Sequence, residues 1–239
     1  MSSKANGWTL LFDLDGTLVE SAPDLVGTLN AVLGTDDLPP LPLERGRHLI
    51  GHGARALLRR GYEAAGAPLA AEALDARFAL FLDLYVGRIA DLTRPYPGCV
   101  AALTALKDEG FTLAVATNKR TDLSVALLDA LEMTGLFACV LGPDRVSARK
   151  PDAAHLIEAL AACGGDRGHA LMVGDSSLDA GAARAAGLPF VAVGFGYADV
   201  AIPAMAPWAV LDHYDGFPAL VRRCANETEQ GLALAGSPG

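Results

Sequence analysis

Short apolar runs recur along the chain, each closed by a polar or turn-forming residue and followed by sequence of helical period: residues 8–12, 111–116, 139–141, 170–173, 190–193 and 208–211. Runs of this length predict strands, and strands that alternate with helices predict a parallel sheet covered on both faces. One connection breaks the rhythm. Residues 21–95 are far too long for a single crossover helix, and within them residues 24–33, 54–65 and 70–89 place apolar side chains at three- and four-residue spacing, separated by "GTDDLPPLP" and "EAAGAP". The pattern predicts a helical cap domain inserted after the first strand. Its hinges fall at residues 20–23 and 93–98, where proline and glycine end the helical pattern. The expected division is an α/β core of residues 1–20 and 96–225, a cap of residues 21–95, and a C-terminal tail, "NETEQGLALAGSPG" from residue 226, that reads as flexible.

Composition then narrows the function classes. Of 239 residues, 51% are apolar and 20% charged, the balance of a globular chain able to bury a substantial core. The formal net charge of −9 argues against nucleic acid or an anionic membrane as the main partner. An anionic substrate would therefore need a local positive pocket. Cys99, Cys139, Cys163 and Cys224 show no CxxC or zinc-finger spacing, which predicts buried free thiols in a reducing compartment. Residues 1–7 lack a hydrophobic signal core and no eighteen apolar residues run uninterrupted, so the expected protein is cytoplasmic, a monomer or a homodimer.

The candidate chemistry sits at the strand ends. "FDLDGT" puts Asp13 and Asp15 after the first strand, Thr117 and Asn118 follow the second, "RKPD" with Lys150 follows the third, and "GDSSLD" with Asp175, Ser176 and Asp179 follows the fourth. Each has a local reading: a turn, a helix N-cap, a helix start with proline at its first position, a capping loop. A parallel sheet brings all four to one edge, where such sheets bind ligands. There the residue types make sense together. Asp13 fits a nucleophile toward phosphorus beside a divalent cation, and Asp15 fits the acid that protonates the leaving oxygen and then the base that deprotonates water. Two neighbouring carboxylates are tolerable if Mg2+ lies between them, held by Asp13, the backbone carbonyl of Asp15, and Asp175, with Asp179 and Ser176 supporting. Thr117, Asn118 and Lys150 would bind the phosphoryl oxygens.

In these motifs the chain resembles the haloacid dehalogenase superfamily: "DLDGT", "TN", "KP" and "GDSSLD" stand for its four motifs in order. The resemblance implies a Rossmann-like core, an aspartyl-phosphate intermediate, magnesium and a helical cap. Through "FDLDGTLVES", "GHGARALL", "PYPGCV", "ATNK" and "RKPD" the chain is most similar to the phosphoglycolate phosphatases, which implies a small phosphorylated metabolite as substrate. "KPDAAHL" departs from the usual "KPxPxxL", and Glu20 stands where Asp is frequent. A sugar phosphomutase of the beta-phosphoglucomutase type would share Asp13 and Asp15, and a non-catalytic protein phosphorylated on aspartate would share the Asp, Thr and Lys set. A Schiff-base mechanism would need a cap lysine, yet no lysine lies between Lys4 and Lys107.

The cap supplies one more candidate. In "IGHGARALLRR", Gly51 and Gly53 flank His52 ahead of a helix-like run, a loop able to present backbone N–H groups to an anion, with Arg55 and His52 as side-chain contacts to a substrate carboxylate. His155, His169 and His213 lack metal-ligand spacing and read as surface or structural.

Overall fold

The computed structural model describes residues 7–235. The chain opens with β1 (Thr9–Phe12) and β2 (Val19–Glu20), then runs through four helices, α1 (Ala22–Gly34), α2 (Leu43–Arg47), α3 (Ala54–Ala64) and α4 (Ala71–Val86), before β3 (Arg94–Pro95). Alternation follows: α5 (Cys99–Asp108), β4 (Thr112–Ala116), α6 (Thr121–Ala130), β5 (Cys139–Leu141), α7 (Ala153–Ala162), β6 (Ala170–Gly174), α8 (Ser177–Ala186), β7 (Phe190–Val193), β8 (Ala209–Leu211) and α9 (Phe217–Ala235). Six strands form one parallel sheet in the order β5-β4-β1-β6-β7-β8.

The central position of β1 follows from its composition. All four of its residues are buried, and the period-two pleat sends Leu10 and Phe12 to a layer with Leu103, Leu106 and Phe217, while Leu11 meets Leu156, Ala159 and Ala183 on the other face. Thr9 pairs with Thr112 on one side and Ala170 on the other, so β1, β4 and β6 end level and their following loops share one edge.

The helical insert has its own apolar centre, including Leu29, Leu33, Tyr62, Phe81 and Tyr85, joined by Leu123 and Tyr197 from the sheet side. Its two chain crossings are tied together. β2 and β3 pair antiparallel, Val19 opposite Pro95 and Glu20 opposite Arg94. Buried Asp24 accepts from Leu92 N (2.9 Å), Thr93 N (2.7 Å) and Thr93 Oγ1 (2.7 Å), and the Tyr197 hydroxyl accepts from Ser21 N (2.7 Å) and Ala22 N (2.9 Å) while donating to Glu20 (2.8 Å).

Four local expectations change. The two-residue strands β2 and β3 form at the expected hinges, and the five-residue α2 follows "GTDDLPPLP" in a stretch given no element. The last insert helix stops at Val86 rather than residue 89. The stretch from residue 226 is not a frayed tail at its start: α9 runs through to Ala235, because Phe217, Val221, Cys224 and Ala225 bury one face of it, Thr228 Oγ1 donates to Cys224 O at 3.0 Å, and no proline follows before Pro238. The rest of that expectation, residues 236–239, lies outside the described residues. Cys99 and Cys224 are buried, whereas Cys139 and Cys163 are only half-buried. Among the described residues no helix is long and apolar enough to cross a membrane.

Candidate active site

Asp13 follows β1 directly and is only 5% exposed. Its backbone N–H donates to Val173 O at 3.0 Å, continuing the ladder to β6, and its Oδ1 accepts from Leu14 N at 2.7 Å. The chain then turns at Gly16, where φ is +85° and an added Cβ would lie 2.2 Å from Asp175 Oδ2. Only glycine allows this close approach. Asp175, after β6, accepts from Tyr197 N at 2.6 Å and, at 3.4 Å, from Thr17 Oγ1.

Lys150 is 2% exposed and its Nζ lies 3.0 Å from Asp13 Oδ1 and 2.6 Å from Asp179 Oδ1. Its backbone N–H donates to His155 Nδ1 (3.3 Å), and His155 Nε2 faces Leu141 O (3.1 Å), so neutral His155 links the ends of β5 and α7. Burial, reinforced by the Lys150 cation, pushes His155 down to about 4. Helix α7 begins after an Asp152 N-cap, not with Pro151 at its first position. Asp179 does cap its helix: Ser176 and Asp179 form a capping box at the start of α8. The same carboxylate holds Lys150, so the local and the functional reading of "GDSSLD" are both realised.

Thr117 and Asn118 leave β4 before α6 starts at Thr121, so neither caps it. Thr117 Oγ1 accepts from Lys119 N at 3.2 Å. The Asn118 amide nitrogen, expected to face a phosphoryl group, donates instead to Lys150 O (3.2 Å) and Gly51 O (3.4 Å), and its buried Oδ1 has no partner.

Ligand oxygens of Asp13, Asp175 and Asp179 lie within 4.8 Å of one another. Both oxygens of Asp179 are already engaged, Oδ1 by Lys150 (2.6 Å) and Oδ2 by Ser176 Oγ (2.6 Å). Among the described residues Asp13 Oδ2 accepts no hydrogen bond and Asp175 Oδ1 has only the 3.4 Å contact from Thr17, so these two carboxylates keep the more open oxygens for a cation. Their electrostatics agree. Burial pushes Asp13 up to about 6, with Lys150 opposing and Asp179 adding to the rise, and burial, then Asp179 and Asp13, put Asp175 well above the usual carboxylate range. One lysine does not offset three buried carboxylates, and the all-oxygen donor set suits a hard divalent ion.

Asp15 turns away from this cluster. Ser21 Oγ donates to its Oδ1 at 2.6 Å and Lys119 Nζ lies 3.2 Å from both of its oxygens. Lys119 Nζ also donates to the Tyr85 hydroxyl, from α4, at 2.7 Å. Burial works against the Lys119 ammonium, but Asp15 and Tyr85 outweigh it and hold it protonated. Sequence reasoning missed Lys119, Ser21, Tyr85 and Tyr197. Lys119 had a usable signal, standing directly after "TN" on a strand-end loop; Tyr85 and Tyr197 had none, because their roles depend on how the insert packs.

Of the insert loop, Gly51 and Gly53 line a cleft with Asp13, Asp15, Thr117 and Lys119. Gly53 has φ +85° and an added Cβ would press on Asn118 O at 3.1 Å. Arg55 is not brought to the cleft. It pairs with Asp75, covers the Phe78 ring at 5.8 Å and leaves its side chain 48% exposed, because the start of α3 turns that side chain toward α4. His52 is partly buried and held below its ordinary range by burial, then by Arg60; it does not line the cleft.

Residues 10–193 match the family model of haloacid dehalogenase-like hydrolases. The chain is 50% identical over 213 residues to a phosphoglycolate phosphatase of Caulobacter vibrioides, covering 89% of this chain and 90% of that one. It is 42% identical to a phosphoglycolate phosphatase of Mesorhizobium japonicum, covering 86% and 91%. A crystal structure of a predicted phosphoglycolate phosphatase from Haemophilus somnus superposes with a TM-score of 0.84 at 30% identity, covering 91% of this chain and 98% of that one.

Proposed function

The chain belongs to the haloacid dehalogenase-like hydrolase family and is a phosphatase, and on that premise we propose that it hydrolyses 2-phosphoglycolate to glycolate and phosphate with Mg2+. That both relatives are phosphoglycolate phosphatases supports the substrate. The observation that carries the chemistry is the pair of differently held carboxylates: Asp13 against Lys150 beside Asp175, Asp15 apart from them on Ser21 and Lys119.

In this reading an Asp13 oxygen attacks phosphorus, the bond from phosphorus to the glycolate oxygen breaks, and Asp15 gives that oxygen its proton. Asp15 then takes a proton from water, whose oxygen attacks phosphorus and breaks the bond to Asp13, releasing phosphate. Lys150 and Thr117 stabilise the phosphoryl oxygens, and Asn118 fixes the Lys150 and Gly51 segments around them. Asp13, Asp175 and the backbone carbonyl of Asp15 would hold Mg2+, which when bound offsets the repulsion between the nucleophile and the phosphate. The insert acts as a cap that excludes bulk water from the cleft while the one attacking water reaches Asp15. The free thiols fit a reducing, cytoplasmic setting.

Phosphate release from 2-phosphoglycolate, sugar phosphates, nucleotides and pyrophosphate, each with Mg2+ and with excess chelator, tests the proposal. The expected result is the highest kcat/KM for 2-phosphoglycolate, abolished by chelator and restored by Mg2+. Full activity in chelator would remove the metal, and a preferred sugar phosphate would remove the substrate.

A further inference from the structure

Beyond its contact with Asp15, Lys119 has no part in the mechanism above, yet it is one of two buried lysines at the site and the only one of them that lines the cleft. We infer that Lys119 is the receptor for the substrate's second anion, a carboxylate one carbon from the phosphoester oxygen. This rests on the substrate proposed above and names the residue that would select it.

Three observations carry it. First, the ammonium is loosely committed on one side. Its two contacts to Asp15 are 3.2 Å, longer than the roughly 2.7–2.9 Å of a good charge-assisted bond, whereas its bond to the Tyr85 hydroxyl is 2.7 Å. Asp15 has its short bond from Ser21 Oγ at 2.6 Å, so the ammonium can turn to another anion and leave Asp15 held. Second, the walls around it are apolar: Leu25, Ile50, Leu57, Phe81 and Leu123 line the same cleft. A carboxylate there has no solvation to fall back on and must meet a cation. Among the described residues lining the cleft Lys119 alone is cationic, since Lys150 is taken by Asp13 and Asp179, and Arg55 by Asp75. Third, Lys119 is two residues from Thr117 on one loop and bonded to it through Lys119 N and Thr117 Oγ1. Asp13, Thr117 and Lys119 also line the same cleft, so the phosphate end and the ammonium face one space, which suits a short acid and not a long one.

The test compares kcat/KM for 2-phosphoglycolate and for ethyl phosphate, an alkyl ester without the carboxylate, in wild type, Asp15→Asn and Lys119→Gln. Lys119→Gln should lose about 10- to 100-fold more on 2-phosphoglycolate than on ethyl phosphate, the excess carried by KM, because any loss transmitted through Asp15 falls on both esters alike. Asp15→Asn should lose heavily on both. Equal losses of Lys119→Gln on both esters would make Lys119 a support for Asp15 or for the fold and overturn the inference; so would no loss on either. A wild type without preference for 2-phosphoglycolate would overturn the proposed substrate itself, and this inference with it. A binding measurement on the wild-type protein with Mg2+ does not depend on how the amide variant folds. The side-chain nitrogen resonance of Lys119, assigned through Lys119→Arg, should shift on adding phosphonoacetate and stay in place on adding methylphosphonate. The same response to both would refute the assignment.

Discussion

Asp13→Asn should silence the protein and at the same time make its metal-free form more stable. The carboxyl of Asp13 is raised from 3.8 to about 6, chiefly by burial, with Lys150 opposing and Asp179 adding to the rise. A carboxyl whose folded value is raised contributes its full stability below 3.8 and loses it as pH climbs through about 6, so at pH 7.5 the ionised group is a net cost. At about 1.4 kcal/mol per pH unit between those two values, the cost is about 3 kcal/mol. Asparagine keeps the volume and the acceptor for Leu14 N, and Lys150 keeps Asp179 at 2.6 Å, so most of that cost should be recovered. Urea denaturation in excess chelator should therefore find the variant more stable by up to about 3 kcal/mol at pH 7.5, and by much less at pH 4. Adding Mg2+ should stabilise wild type more than the variant, because the variant lacks one anionic ligand. Turnover should fall by about 10⁴-fold or more, since the attacking oxygen is gone. A variant no more stable than wild type at pH 7.5, or equally stabilised at pH 4, would refute the electrostatic argument; near-normal turnover would refute the nucleophile.

Gly16→Ala should cut activity at least about 100-fold, read by phosphate release, because a Cβ 2.2 Å from Asp175 Oδ2 at φ +85° must displace a proposed metal ligand. His155 is held neutral, its value lowered from 6.5 to about 4, so its contribution is complete above 6.5 and lost as pH falls toward 4. The stability difference between wild type and His155→Gln should accordingly shrink by up to about 3 kcal/mol from pH 7 to pH 4 in urea titrations. Asp24→Ala strands the N–H groups of Leu92 and Thr93 and the Thr93 hydroxyl; thermal or urea melts should show a loss of about 2–4 kcal/mol.

How much of this was legible in the sequence depended on the length scale of the cause. The six main strands were legible because a parallel sheet buries both faces, leaving uninterrupted apolar runs such as Leu10, Leu11 and Phe12. The gathering of Asp13, Thr117, Lys150 and Asp175 was legible for a topological reason: each follows a strand, and parallel strands end on one edge. The pairing of Val19 with Pro95 was not, because two residues carry no period and the contact spans the whole insert. Arg55 was misplaced because a helical period gives a side chain's neighbours along its own helix but not the helix it packs on; the Asp75 carboxylate, twenty residues on, decides its direction. Tyr85 failed for the same reason in reverse. Its apolar ring fits the insert interior, stacked 5.8 Å from Phe81, and only the packed insert shows that its hydroxyl reaches Lys119.

The two buried lysines divide the site in a way that explains why chemistry and selectivity can vary separately on this fold. The Lys150 ammonium is held from the core side, by Asp13 after β1 and Asp179 on α8, while its backbone N–H meets His155 on α7 and its carbonyl meets Asn118. Each partner in that set sits on the core, so the side chains around Asp13 are held without a direct contact from the insert. Lys119 is held half by the core, through Asp15, and half by the insert, through Tyr85 on α4. Its position is complete only with the insert seated. A different insert would leave the Asp13 end as it is and change what faces the far end of the substrate, which is where recognition of the non-phosphate part has to occur.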